Sequence, residues 1–546
     1  MTRLWSLAWA LLPFAIACTA APPPASPGTL NVSVEQQASW IRNFNPLSGG
    51  ARWPTQAGIY EPLLIHSAVT GEFTPWLALS STWESPQSLR FDLRDGVRWS
   101  DGTPFTSGDV AFTFNLLHNH RALDQGAVWD FLDKVEADGP LKVRFSFSRP
   151  YSPGLDALAR QPIVPSHIWA DIPDPLRFTN PDPVGTGPFT EILTFRNQVW
   201  ELGKNPHYWQ PLGLERLRFL AFPGNDQANM ALATGELDWA GNFVPAIDRT
   251  FVAKDPAHRH YWFPLVGSTV FLYPATTRAP FSDVRVRKAL SMAIDRHRLV
   301  DIAMYSYTRP ADGTGLSDAF SSWRDPEAKN APWVLYDPIE AARLLDVAGY
   351  PRPDPKGPRL GPDGPLEAEI IVVAGWSDWV RAAQVIAQDL RALGLEISVR
   401  TLDFSPWFEK VQKGDFDLAI GWSNEGASPY AFYRALMSQK TLKPPGTAAP
   451  SNWHRFASPD ADALLSAFER ETTPSAQRRI AIELQRVFAR EAPAIPLFPN
   501  PSWGIANTSR VEGFPSASAP FAQLSPNPAP ECLLVLTKLR AKDGGP

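Results

Sequence analysis

The 546-residue chain holds only two cysteines, Cys18 and Cys532. So few exclude a disulfide scaffold, and without a CxxC pair they exclude a dithiol redox centre or a cysteine-based zinc site. Neither sign of charge is in marked excess, with a net charge of −5 and 20% charged residues, so no electrostatic pull toward nucleic acid or anionic lipid follows. Past residue 17 no apolar run is long enough to cross a bilayer. The dinucleotide fingerprint GxGxxG and the phosphate loop GxxxxGK[ST] are absent. The nearest string to a GxSxG elbow, Gly421 to Gly426, has the wrong spacing. His118/His120 and His258/His260 stand two apart, a spacing that points side chains away from each other on a helix, and no HExxH accompanies them. Asp415/Asp417 and Asp460/Asp462 lack the glycine and closing glutamate of a calcium loop. No repeat of about 20–50 residues is visible, which excludes a solenoid. The chemistry of an enzyme, a metal site or a cofactor site is therefore not written in any motif. A carboxylate pair across a cleft, as in a glycosidase, is not selected by any feature, so an exported hydrolase is kept only as a residual reading.

What is present is a soluble globular balance, 44% hydrophobic, rich in proline (56) and tryptophan (21). The length implies two or three structural domains. The prolines argue for long surface connections and against an all-helical fold. Most of the indoles belong to cores and loop packing; the rest suit a stacking surface in a cleft. The first 17 residues put Arg3 before an apolar run from Leu4 to Ala17, the form of an export signal. Small residues surround Cys18 and a Pro-rich stretch follows. Two readings stay open: Cys18 as the lipidated first residue of a lipoprotein, or ordinary cleavage near residues 17–21.

The body alternates short strands with amphipathic helices, an α/β pattern. Strands are expected at residues 89–94, 143–148, 217–222, 269–273, 370–374, 397–400 and 418–422. Ser282 is expected to cap a helix whose inward face is Val286, Ala289, Leu290, Ala293 and Ile294. Asp337-Pro338 opens another that stops at Gly349. Ser377 or Asp378 opens a third, with Val380, Ala383, Ala387 and Leu390 inward and Gly394 as its stop. Thr473-Pro474 opens a fourth, carrying Ile480, Leu484, Val487 and Phe488. Ser107 is expected to cap a helix from Gly108. The stretch 525–546 reads either as a last edge strand or as a loose tail.

Several segments carry a resemblance. LRDGVRWSDGTPFTSGDVAFTF at residues 93–114 is the most specific, joined by PVGTGPF at 183–189, KNPHYW at 204–209, TGELD at 234–238, VRVRKALSMAID at 284–295, the run from Asp337 to Tyr350, and APAIPLF at 492–498. Read in order, they resemble the bacterial extracellular solute-binding proteins of family 5, the oligopeptide, dipeptide and nickel type that serve ABC importers. The match runs over about residues 29–524. The resemblance implies an α/β, two-lobed type II periplasmic-binding fold, a clamshell with an extra inserted α/β domain. It implies lobe I at 29–62, the inserted domain at 63–177, lobe I again at 178–265, lobe II at 266–497, a return to lobe I at 498–524 and a tail at 525–546, after a signal at 1–17 and a tether at 18–28. It further implies a binding subunit rather than an enzyme, a monomer that takes a small molecule, needs no cofactor and hands its cargo to permease subunits in the membrane.

The ligand class is left between two readings. Peptide-binding members hold the α-amino group with an aspartate in the segment matching Gly421 to Phe432, where Glu425 takes that place here and Gly426 replaces a tyrosine. The stretches at residues 43–48 with Trp53-Pro54, at 71–76 and at 428–434 look more like the oligosaccharide-binding branch. Sugar faces stack on indoles, and their hydroxyls need amides and carboxylates. The candidate stackers are Trp40, Trp53, Trp239, Trp376, Trp379, Trp407 and Trp422, and the candidate polar partners Asn45, Asn242, Asp378, Asn424 and Glu425.

Overall fold

The computed structural model describes residues 28–34, 39–49 and 54–542. Cys18 and Trp53, and with them the expected signal and all but the last residue of the tether, lie outside these residues.

Three sheets organise the chain. The strands Thr29–Ser33, Phe189–Arg196, Val199–Lys204, Arg216–Leu220, Trp239–Ala240, Arg259–Tyr261 and Ile505–Asn507 form a mixed seven-stranded sheet, with Thr29–Ser33 central and parallel to both neighbours. A five-stranded sheet runs Glu396–Leu402, Glu367–Val373, Leu418–Trp422, Thr269–Pro274 and Ile495–Pro499, parallel over its first three strands and antiparallel over the rest. An antiparallel four-stranded sheet is formed by Ala78–Ser85, Ser88–Leu93, Lys142–Phe147 and Leu132–Ala137. The central strands of the first two sheets, Thr29–Ser33 and Leu418–Trp422, are buried on both faces, as strands covered by helices on both sides must be. Ser88–Leu93 alternates, with Leu89, Phe91 and Leu93 inward.

All seven strands expected from the sequence are present, within a few residues at their ends. Each of the four helices forms where its apolar period lies. Val286, Ala289, Leu290, Ala293 and Ile294 are all buried. Ala383, Ala387 and Leu390 are buried under helix Ser377–Ala392, and Gly394 beyond it sits at φ +99°, where a side chain is strained. Two caps fall one residue from the expected place. Asp283 rather than Ser282 accepts from the Arg285 amide, and Thr106 rather than Ser107 caps helix Ser107–Asn119, through a box closed by Asp109. In both cases two capping residues are adjacent, and the backbone turn decides between them.

The end of the chain is packed. Cys532–Leu536 forms a short buried helix, its cysteine free, and Arg540–Ala541 pairs with Val511–Glu512. The expected choice between an edge strand and a loose tail is thus replaced by a helix followed by a two-residue strand. Among the described residues no helix is long and apolar enough to cross a membrane.

The chain passes from the seven-stranded to the five-stranded sheet after Arg259–Tyr261 and returns before Ile505–Asn507. The two connections lie side by side: the Asn500 amide donates to Ser268 O at 2.7 Å, Ser502 to Pro264 at 2.9 Å and Trp262 to Gly504 at 2.9 Å. A paired connection of this kind is the element about which two lobes can rotate as rigid bodies.

Candidate functional site

A cavity of about 390 Å³ opens between the two larger sheets, with the paired connections as its floor. From the seven-stranded side come the N-terminus of helix Asn225–Thr234, Asn242 and Phe243 just after Trp239–Ala240, and Gln523, Ser525 and Asn527. The five-stranded side contributes Trp376, Asp378 and Trp379 around the start of Ser377–Ala392, with Phe404, Trp422 and Glu425. Ser268, Asn500, Ser502 and Trp503 belong to the connections themselves.

One wall is aromatic. Trp376 meets Trp379 edge-on with centroids 4.8 Å apart, and Trp422 lies nearly parallel to Phe404 at 6.4 Å. Beneath them the fully buried Trp407 supports Trp422 at 5.3 Å. The rings hold one another in place, so a flat apolar surface faces the cavity at little entropic cost.

The opposite wall is made of amides. Asn242 donates to Asn229 Oδ1 at 2.7 Å, and Asn527 donates to Gly241 O at 2.8 Å, so each amide is fixed through its nitrogen. Asn242 Oδ1, Asn527 Oδ1, Asn500 Oδ1, Ser502 Oγ and Trp376 Nε1 are buried without a hydrogen-bond partner. A buried polar atom left unpaired costs about 1–3 kcal/mol. Five of them around one cavity mark a surface prepared for hydrogen bonds from something outside the chain. No lysine, arginine or histidine is among the described residues that line this cavity.

Two carboxyls line it. Asp378 is buried, and burial pushes it up to about 6 against the pull of its own amide, the Trp379 amide and Arg381. Asn225 Nδ2 donates to it at 3.3 Å from the other lobe, while the Asn225 amide donates to Gly375 O at 3.1 Å. Gly375 has no room for a side chain, since a Cβ there would lie 2.4 Å from Pro223 O. Loss of water between the packed units pushes Glu425 up to about 7, with the Glu531 charge adding to and the Arg160 charge opposing the rise. Its side chain is open to the cavity, and water there offsets part of that push.

Glu425 is also where the space continues. A narrow passage lined by His66, Asp156, Arg160 and Glu425 leads to a second cavity of about 660 Å³ between the four-stranded-sheet unit and the far end of the five-stranded one. Tyr151 and Tyr430, bonded through their hydroxyls at 3.3 Å, stand on its two sides.

Six of the residues expected from the sequence thus meet at the first cavity: Trp376, Asp378, Trp379, Trp422, Asn242 and Glu425. Asn424 faces the second cavity, and Trp407 acts from underneath. Three do not belong to the site. Trp40 is buried edge-on against Trp200 at 6.0 Å, in the core of the seven-stranded sheet. Trp239 is fully buried and donates its indole N–H to Leu524 O. Asn45 is fully buried and builds a turn, donating to Pro175 O and Phe178 O and accepting from the Leu47 amide. Each is enclosed by the packing of its own segment: Trp239 on a buried strand, Trp40 and Asn45 in connections laid over the sheet. The sequence reading missed Phe243, Asn500, Ser502, Trp503, Gln523 and Asn527, which come from irregular segments with no periodicity to mark them. Of the histidine pairs, His118 packs on Trp129 at 4.3 Å and His258 bonds to Asp255; no cluster of three metal-ligating side chains occurs among the described residues.

Comparison with known proteins bears on the family and the fold. The model for the middle region of the bacterial extracellular solute-binding proteins, family 5, matches residues 72–443. The nickel-binding periplasmic protein of Escherichia coli K12 is 27% identical over 434 residues, covering 74% of this chain and 78% of its own. A putative ABC transporter peptide-binding protein of Brucella ovis is 28% identical over 497 residues, covering 86% and 87%. The crystal structure of a periplasmic oligopeptide-binding protein from Thermotoga maritima with mannohexaose bound superimposes with a TM-score of 0.86 at 26% identity, over 94% of this chain and 99% of that one.

Proposed function

Since the chain belongs to family 5 of the bacterial extracellular solute-binding proteins, we propose that the cavity between its two larger sheets is where it captures the cargo of a peptide/oligopeptide-class ABC importer. The protein is the extracytoplasmic substrate-binding component of such an importer, a transport protein and not an enzyme. It delivers its ligand to membrane permease subunits. The observation that carries the site is the position of the cavity on paired connections, where only a ligand touching both walls rewards closure. In the peptide reading Glu425 and Asp378 receive an ammonium group, and the unpaired amide oxygens receive main-chain N–H groups.

A specific observation favours a second ligand. The first cavity combines an indole wall, four partnerless oxygens and no basic residue, which suits an uncharged polyhydroxylated molecule. The Thermotoga maritima relative holds a mannohexaose. An oligosaccharide is therefore the alternative cargo of the same site. Melting curves of the purified protein with tri- to pentapeptides and with β-glucan and mannan oligosaccharides decide between them, because a bound ligand raises the melting temperature by mass action. Stabilisation by peptides alone supports the first reading, and stabilisation by sugars alone replaces it. If no compound of either panel acts, the cavity is not the capture site.

The unit boundaries proposed from the resemblance, with an inserted domain at 63–177 and lobe II at 266–497, rest on the confinement of the four-stranded sheet to residues 78–147 and of the five-stranded sheet to residues 269–499. Limited proteolysis that cut first inside a sheet, rather than near these limits, would count against them. Lipid attachment through Cys18 is likewise proposed, from the small residues that flank it. Replacing Cys18 by serine should release the protein from the membrane fraction; retention there would refute attachment.

A further inference from the structure

The second cavity has a charge character the first lacks. Arg160, Arg434, Lys440 and Lys443 line it, and Glu425 stands at its junction with the first. Two of these cations are occupied: Arg160 pairs with Asp156 at 2.5 Å, and Lys440 with Glu469 at 3.3 Å; Lys443 makes no ion pair among the described residues but is exposed. Arg434 is different. It is half-buried on helix Pro429–Met437, and its guanidinium has no hydrogen-bond, ion-pair or ring partner among the described residues, although its own carbonyl is bonded within the helix end. Its nitrogens stay open to the cavity, and a guanidinium with five donors and no protein acceptor is suited to a bidentate carboxylate. Neither Asp130 nor Glu425, which also line the cavity, makes an ion pair with it, and two further carboxylates are held by other groups. Glu469 is bound by Tyr430, Lys440 and Arg149, and Asp156 by Arg160 and the Ala427 amide.

We propose that the second cavity is the far half of the ligand channel and that Arg434 anchors a carboxylate at the end of an extended ligand. This rests on the first cavity being the capture site. A ligand lying from the indole wall past Glu425 into the second cavity would meet acidic groups at one end and an unpaired cation at the other. That polarity fits a molecule with a neutral or cationic head and an anionic tail. A peptide C-terminus and the uronate end of an acidic oligosaccharide share the required group.

The test compares matched ligands on the mature protein by titration calorimetry: tetra- and pentapeptides as free acids and as C-terminal amides, and neutral oligosaccharides against uronate-terminated ones. Wild type should prefer the acid form by about tenfold to a hundredfold, the worth of a charge-assisted bond. Arg434→Gln should abolish that preference while leaving the affinity for the amide or neutral form within about twofold, and Arg434→Lys should restore part of it. The arm that shows the preference identifies the source of the carboxylate. An acid-to-neutral ratio unchanged in Arg434→Gln, or no preference in wild type, overturns the anchor and leaves the capture site standing. If none of these ligands binds, the capture site falls, and the anchor with it.

Discussion

Asp378→Asn isolates the cost of burying a carboxyl at the mouth of the cleft. Asp378 is 3% exposed, and the base nearest along its helix, Arg381, lies over the Phe243 and Tyr305 rings and only partly opposes the effect of burial. The folded chain holds the Asp378 proton up to about 6, against an ordinary 3.8. Because the folded state binds the proton more tightly than the unfolded one, the favourable contribution is complete below about pH 4 and is lost as pH rises through about 6. Moving a carboxyl that far is worth about 3 kcal/mol. Asparagine keeps an oxygen for the Asn225 amide group but cannot ionise. Relative to wild type, the variant should therefore gain about 3 kcal/mol in unfolding free energy between about pH 4 and pH 8. Urea unfolding followed by tryptophan fluorescence at stepped pH measures the difference, and carboxyls common to both proteins, including Glu61, which is pushed up to about 7 in its buried site, cancel. A gap that stays level across the range refutes the burial argument.

Two further substitutions probe the walls and the closure. Trp422→Ala removes a half-buried ring resting on Trp407 and parallel to Phe404; it should cost about 2–3 kcal/mol of stability and weaken ligand binding about tenfold, and unchanged affinity in titration would take Trp422 out of the site. Gly375→Ala places a Cβ 2.4 Å from Pro223 O across the mouth; the lobes should be held apart, giving a larger radius of gyration with ligand present than wild type shows, and identical scattering curves would mean the contact is not part of closure.

Much of the site was legible without coordinates, because its indole wall lies on regular elements. Trp376 and Trp379 flank a helix start with a clear apolar period, and Trp422 ends a strand flagged by its apolar run, so periodicity placed their backbone and chemistry named their role. Trp40 and Trp239 carry the same side chain and were read the same way, yet they are core. A single residue's type says that it wants an apolar surface; it does not say whether that surface is the protein's own.

The sequence by itself determined the elements and the family: strand and helix positions follow from local spacing, and the turn-rich run at residues 93–114 has few other solutions. Tertiary structure alone decided the amide wall, the partnerless Arg434 and the meeting of Asn225 with Gly375. Those features join residues hundreds of positions apart through loops without periodicity. Whether a polar atom is paired is a property of everything packed around it, and no local pattern records that.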